Sequence, residues 1–287
     1  MNKYQIVTDS SCDLPLNVIQ ELNLKVIDLE FLFDGEESCA NGKVDVKEFY
    51  EKLRSGATAK TSAANMDTFL DCFEEIAKEG KDILYIGFSS GLSSTCHTGA
   101  LATEEIVEKY PNIRAVAVDT LAASLGQGLL VYYAAKMQAD GKSMDEVIAF
   151  LEDKKLNLCH LFTVDDLFFL KRGGRVNAAT AVVGSLLAIK PVLHVDNEGH
   201  LTSIGKVRGR RQSIEDLFHR MEKTVVDPDG QIVFISHGDC AEEANELADM
   251  IKEKWNVQQI LVSEIGPVIG AHAGPGTVAL FYLGSER

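Results

Sequence analysis

The stretch Gly87-Phe88-Ser89-Ser90-Gly91-Leu92-Ser93-Ser94-Thr95 concentrates hydroxyl side chains around two glycines. It follows an apolar run, Ile83-Leu84-Tyr85-Ile86, and precedes a helix-like segment. A strand, a glycine turn and a hydroxyl-rich helix start form an anion site from backbone N–H groups and the helix dipole. The same residues match G-x-S-x-G, the sharp turn that exposes a nucleophilic serine in hydrolases. In that reading Ser89 attacks, His272 is its base, and an aspartate lies between them in chain order. In the other reading the serines only hold an anion. Spacing favours holding, because an elbow serine leads straight into its helix. Here Ser90-Gly91-Leu92 separates Ser89 from the cap expected at Ser93 or Ser94. A nucleotide site would need a P-loop lysine or G-x-G-x-x-G, and neither is present.

Four further stretches carry side chains suited to chemistry. Thr61-Ser62 reads as a loop before a helix at Asn65, where adjacent hydroxyls could bond an anionic head group or simply satisfy the loop. Asp165 to Arg175 reads as a short helix closed by Gly173-Gly174, the glycines supplying a left-handed turn. Arg172 and Arg175 suit either an internal ion pair or a ligand anion. Gly266 to Thr277 reads as a loop fixed by two proline–glycine punctuations around His272, which is expected to face a site. Arg208, Arg210 and Arg211 make the one basic cluster, either a solvated helix start or a docking patch for an acidic partner. The remaining histidines, His97, His160, His194, His200, His219 and His237, show no metal-ligand spacing, so no metal is expected.

These residues need a scaffold, and the pattern supplies one. Strands alternate with helices through the first half, at Ile6-Val7, Leu24 to Phe33, 83–87 and 115–118. Asp45 with Glu48 suggests a capping box for a helix at 46–54. Three strands end in hydroxyl or acidic residues, Thr8-Asp9-Ser10, Ser89-Ser90 and Asp119-Thr120. In an open parallel sheet such carboxyl ends border the ligand crevice. The second half has strands near 158–164, 189–195, 201–207, 231–236, 258–263 and 277–283, with a hairpin at Asn197-Glu198-Gly199. Hairpins mixed with helices predict an α+β layer with a partly antiparallel sheet. The boundary between two domains is placed near Lys154-Lys155, giving 1–155 and 156–287.

The 287 residues are 46% hydrophobic and 25% charged, the profile of an ordinary globular protein. A net charge of −15 argues against nucleic acid as partner. No apolar run reaches the ~20 residues of a bilayer span. The amino terminus enters a strand pattern at once, so no leader is expected. Six scattered cysteines without a C-x-x-C pair predict reduced thiols and a cytoplasmic location.

Together the segments resemble the DegV family. The resemblance rests on Thr8-Asp9-Ser10-Ser11-Cys12-Asp13-Leu14-Pro15, Thr61-Ser62, Ser89-Ser90-Gly91-Leu92-Ser93 and the Asp119 segment with Ser124 and Gly126. It continues through Leu170-Lys171-Arg172-Gly173-Gly174-Arg175, Lys190-Pro191 and Gly270-Ala271-His272, all in family order along the chain. It implies a two-domain α/β fold, a Rossmann-like parallel-sheet domain and a C-terminal α+β domain with a ligand tunnel between them. It further implies a bacterial fatty-acid carrier without catalysis or cofactor of its own. Such a carrier presents its ligand's carboxylate to a separate ATP-dependent fatty acid kinase subunit for acyl-phosphate formation, a step toward phospholipid synthesis. Transient membrane contact is compatible with that role. By resemblance the carboxylate meets Thr61, Ser93 and His272, supported by Ser62, Ser94, Arg172 and Arg175. Burial of the tail would contribute roughly 0.8 kcal/mol per methylene. Its expected walls are Leu24 to Phe33, Val182-Val183-Leu186-Leu187 and Phe281. Ala63-Ala64-Asn65, Cys96-His97 and Thr120 depart from the family pattern without removing a carboxylate contact.

Overall fold

The computed structural model describes residues 3–176 and 189–287. In chain order the strands are β1 (Tyr4–Asp9), β2 (Lys25–Ile27), β3 (Glu30–Phe33), β4 (Cys39–Ala40), β5 (Ala59–Ser62), β6 (Asp82–Gly87) and β7 (Ala115–Asp119). They continue as β8 (Leu158–Thr163), β9 (Ile189–Val195), β10 (Leu201–Arg208), β11 (Ile232–His237), β12 (Gln259–Glu264) and β13 (Val278–Leu283). The helices are α1 (Leu16–Glu21), α2 (Val46–Arg54), α3 (Met66–Lys78), α4 (Thr95–Lys109), α5 (Leu125–Ala139) and α6 (Met144–Lys154). The last four are α7 (Phe168–Arg172), α8 (Arg210–Thr224), α9 (Ala241–Lys254) and α10 (Pro267–Ala273).

The expected α/β architecture is present. A parallel sheet of order β2-β1-β6-β7 occupies the first half. A larger sheet of order β10-β9-β8-β13-β11-β12 occupies the second, antiparallel except for the β11–β12 pair. The β9–β10 hairpin turns at Gly199, whose φ of 81° is open to glycine. Between the two sheets lies α5. Its residues are apolar nearly all round and most are buried, as in a helix enclosed by two layers, with Lys136 and Ala139 reaching solvent near its end. Gly126 and Gly128 allow the close approach, since a Cβ would come within 2.9 Å of the Phe281 ring and 2.7 Å of the Cys12 carbonyl.

Four local expectations change. Leu24 to Phe33 is not one strand. β2 joins the parallel sheet, whereas β3 pairs with β4 and β5 in a separate antiparallel sheet. Thr61-Ser62 is therefore strand rather than loop, with Thr61 opposite Phe31 and Ser62 opposite Glu30. At α2, Asp45 accepts from the Lys47 and Glu48 amides. The reciprocal capping box among the described helices is at Ser143 and Glu146.

The segment around His272 is likewise a helix rather than a loop. Pro267 occupies its first turn, where a missing N–H costs nothing, and Gly274 ends it at φ 79°. Its amino end is held by residues far away in the chain. Asn41 Oδ1 accepts from the Val268 amide at 2.8 Å, and Asp13 Oδ1 accepts from the Gly266 amide at 2.9 Å. Tyr50 of α2 donates from its buried hydroxyl to the Ile265 carbonyl at 3.0 Å. Gly270 brings α10 against that ring, where a Cβ would lie 2.6 Å from the Tyr50 oxygen. Tyr50→Phe should leave the Ile265 carbonyl without this donor and destabilise the fold by about 1–3 kcal/mol. A fall in urea midpoint at unchanged m-value would show it.

Candidate functional site

The carboxyl ends of β1, β6 and β7 do converge, but most of their polar atoms hold backbone. Asp9 Oδ2 accepts from Tyr85 Oη at 2.8 Å and from the Phe88 amide at 3.1 Å. Asp119 accepts from the Ser90 and Leu121 amides. Thr120 Oγ1 donates to the Gly87 carbonyl at 2.8 Å. The turn carrying Ser89 to Ser94 is thereby fixed from below.

Ser89 is not a nucleophile in this arrangement. Its side chain is fully buried, Oγ donates to the Gly199 carbonyl at 2.8 Å, and it accepts from the Gly91 amide at 3.2 Å. The β9–β10 hairpin lies directly upon it. A Cβ at Gly91 would come 2.8 Å from the Glu198 and Gly199 carbonyl oxygens. His272 has a different hydroxyl partner, Thr61, with Nε2 and Oγ1 at 2.8 Å. The hydrolase reading has no support here.

Above the turn is a cavity of about 290 Å³ between the parallel sheet, α10 and the large sheet. Thr61, Ser62, Ser93, Ser94, Arg175 and His272 line one end of it, tied together by the Thr61–His272 bond and by Arg175, which bridges Leu92 beside Ser93 and Gly173 beside His272. The rest of its wall is mainly apolar, including Leu29, Phe88, Leu92, Phe162, Leu170 and Val268. Leu29 thus lines it, as expected of the Leu24 to Phe33 segment. Phe281 packs in the core beneath, and 182–187 lie outside the described residues.

Burial pushes the His272 imidazole down to about 4, and repulsion from Arg175 and Arg172 adds to the shift. The ring is neutral near pH 7, with one donor nitrogen and one acceptor. Its Nδ1 is buried without a partner among the described residues. An orphaned N–H costs more than an orphaned lone pair, which assigns the proton to Nε2. Nε2–H then donates to Thr61 Oγ1 and leaves the threonine's own proton for the cavity. Ser93 Oγ accepts from the Thr95 amide at 3.2 Å and lies 2.9 Å from Thr95 Oγ1. With Thr95 donating both times, Ser93 also keeps a proton to give. Ser94 stands at the N-cap position of α4 without bonding the helix through its side chain.

Arg175 adds positive charge. Its Nε donates to the Leu92 carbonyl at 3.3 Å and Nη1 to the Gly173 carbonyl, so both contacts are to neutral oxygens. It has no acidic partner among the described residues. Arg172 turns away. It is exposed, stacks at 4.9 Å on the Phe169 ring and reaches Thr58. Of the basic cluster, Arg210 faces Glu243 and Asp165, and Arg211 pairs with Glu215. Arg208 is exposed at the end of β10.

The two glycines after α7 have different tasks. Gly174 takes the left-handed conformation at φ 70°, whereas Gly173 is right-handed. Gly173 is needed for space, because a Cβ there would come 2.2 Å from His272 Nδ1. Four polar wall residues carry no site signal in the sequence: Ser124, His160, Ser236 and Thr277. Only the sheet register, which places His160 and Ser236 on the inner face, would have identified them. Among the described residues no group of three or more His, Cys, Asp or Glu could hold a metal, and the six cysteines are free thiols.

Gly173→Ala should displace the imidazole and break its bond to Thr61, which a shifted His272 ring resonance would report. The depressed imidazole also couples to pH. Between about 4 and 6.5 the unfolded chain binds a proton that the folded one does not, so this contribution is complete above 6.5 and lost as pH falls toward 4. Asp13, raised by burial to about 7, acts in the opposite sense over much of this range. Comparison with His272→Gln isolates the histidine. The stability of the wild type relative to that variant should decline by up to about 3 kcal/mol as pH falls from 6.5 to 4.

The family model described as "Uncharacterised protein, DegV family" matches residues 3–285. A DegV domain-containing protein of Clostridium perfringens is 47% identical over 100% of this chain and 99% of its own length. A DegV family protein of Thermus thermophilus, solved in a study of its fatty acid binding, superposes with a TM-score of 0.88 at 30% identity, covering 98% of this chain and 99% of that one. DegV of Bacillus subtilis, described as a fatty acid binding protein, superposes at 0.87 with 29% identity, covering 99% of this chain and 100% of that one. The chain belongs to the DegV family.

Proposed function

We propose that this protein binds one free long-chain fatty acid, with the carboxylate against Thr61 and Ser93 and the tail in the apolar cavity. One observation carries the reading: at the end of that cavity two donating hydroxyls stand beside Arg175, a half-buried cation without an acidic partner among the described residues. A partly desolvated cation among hydroxyl donors calls for an anion, and the apolar walls call for a hydrocarbon attached to it. Thermus and Bacillus relatives described as fatty-acid-binding support the same ligand class. In this reading His272 orients Thr61, Ser62 and Ser94 border the head group, and Arg172 contributes only distant charge.

The protein acts as a carrier without catalysis of its own. Its ligand's carboxylate is held by hydroxyls, which leave the oxygen nucleophilic enough to attack a phosphate. That suits presentation to a separate ATP-dependent fatty acid kinase in the cytoplasm. Two units, 1–155 and 156–287, close around the chain, the first supplying Thr61 and Ser93 and the second His272 and Arg175. The exposed Arg208, beside Arg211, is where an acidic face of that kinase would dock.

Gentle extraction of the purified protein should release stoichiometric fatty acid by mass spectrometry. Thr61→Val with Ser93→Ala should bind fatty acid more weakly, by about tenfold or more for the loss of charge-assisted hydrogen bonds. It should also lose acyl-phosphate formation with the partner kinase. A protein that neither carries nor takes up fatty acid refutes the carrier reading.

A further inference from the structure

The cavity has a second polar feature, away from the carboxylate end. His160 of β8 lines it yet is only 5% exposed, wedged against Phe281 at 4.6 Å and Phe162 at 5.8 Å between ring centroids. Register fixes its depth. β13 starts beside the end of α10 that holds His272, where Thr277 Oγ1 donates to the Ala273 carbonyl. From there Phe162 pairs with Ala279 and His160 with Phe281, one inward-facing step further along. That step is about 7 Å. His160 therefore meets the cavity partway along the path an acyl chain would take.

Among the described residues its ring makes no hydrogen bond: Nδ1 is buried without a partner against α5, where a Cβ on Gly126 would sit 3.3 Å from it, and Nε2 is the ring's other nitrogen. Burial, with Arg287 and His194 nearby, keeps the ring neutral by holding its pKa well below the usual value. As at His272, the cheaper arrangement leaves Nδ1 as a bare lone pair and puts the proton on Nε2. A phenyl ring would satisfy the aromatic packing equally well. What imidazole adds is an N–H donor in an apolar wall. Ser236, opposite Ala279 in the neighbouring row, extends the polar character. Its hydroxyl lies 3.0 Å from Ser124 Oγ, which donates to Asp13 at 2.6 Å, so Ser236 donates toward Ser124 and keeps its lone pairs for the cavity.

We infer that the cavity is built to receive an acyl chain bearing a hydroxyl or oxo oxygen partway along its length, with His160 as the donor to that oxygen. The inference rests on the fatty-acid reading and refines it to a substrate class, oxygenated fatty acids.

The test is to strip the full-length protein of lipid and titrate it with stearic acid and a series of hydroxystearic acids differing in hydroxyl position. One isomer should bind as tightly as stearic acid or better. The others should be about tenfold weaker or more, because they bury an unpaired hydroxyl. His160→Phe should weaken that isomer about tenfold relative to stearic acid, whatever it does to the affinity for stearic acid itself. Equal weakening of every hydroxy isomer in the wild type overturns the inference, as does an unchanged isomer-to-stearate ratio in His160→Phe. The wild-type positional profile decides the matter alone if the variant does not fold. Failure of stearic acid and all isomers to bind instead removes the carrier reading itself.

Discussion

A buried carboxylate with no cation beside it among the described residues organises this molecule. Asp9, at the end of β1, is fully buried and is met by hydrogen-bond donors: the Ser11 amide and hydroxyl, Tyr85, the Phe88 amide and Gln127 of α5. Burial raises its pKa and those donors oppose the rise. Such a network is stable only when every member is in place, so it tolerates few alternative packings. It joins the parallel sheet, the central helix and the turn before α4 into one geometry. Ser93 and Ser94 are positioned as a result.

Four residues later the same segment fixes the other half of the site. Asp13 takes the Gly266 amide and Ser124, and Asn41 bridges the Ser10 carbonyl to the Val268 amide. The amino end of α10 thus hangs from the turn that follows β1, and α10 carries His272. Thr61 comes from a short strand, His272 from a helix, and Gly173 provides the flat surface on which the imidazole lies. Electrostatically the clamp is neutral donors with one cation at the side. In the proposed reading that combination holds the ligand's anion without metal or lysine.

Much of this was legible in the chain. The apolar run before Gly87 and the hydroxyls after it announced a strand, turn and helix start, and all six C-terminal strands followed from their apolar patterns. The misreadings share a cause. Ala59 to Ser62 is too short and polar to signal a strand, and becomes one only by pairing with β3. Leu24 to Phe33 shows one alternation because no local signal records that its two ends serve different sheets. Around His272 the glycines suggested a loop, yet a helix forms because Asn41 and Asp13 supply its missing amino-terminal partners. G-x-S-x-G at Ser89 was a chance match whose serine is committed to Gly199, a contact invisible without the hairpin's position. Long-range pairing decided each case.

The polar end of the cavity draws on β5, the turn before α4, the segment after α7, and α10, segments widely separated along the chain. None of them forms the site by itself. A ligand that engages all four binds only the folded protein, and occupancy adds to stability by mass action, about 1.4 kcal/mol for each tenfold excess over Kd. The empty protein is then the form that opens most often and is most readily taken by proteases. Ligand supply would thereby govern not only what the protein carries but how long each copy survives.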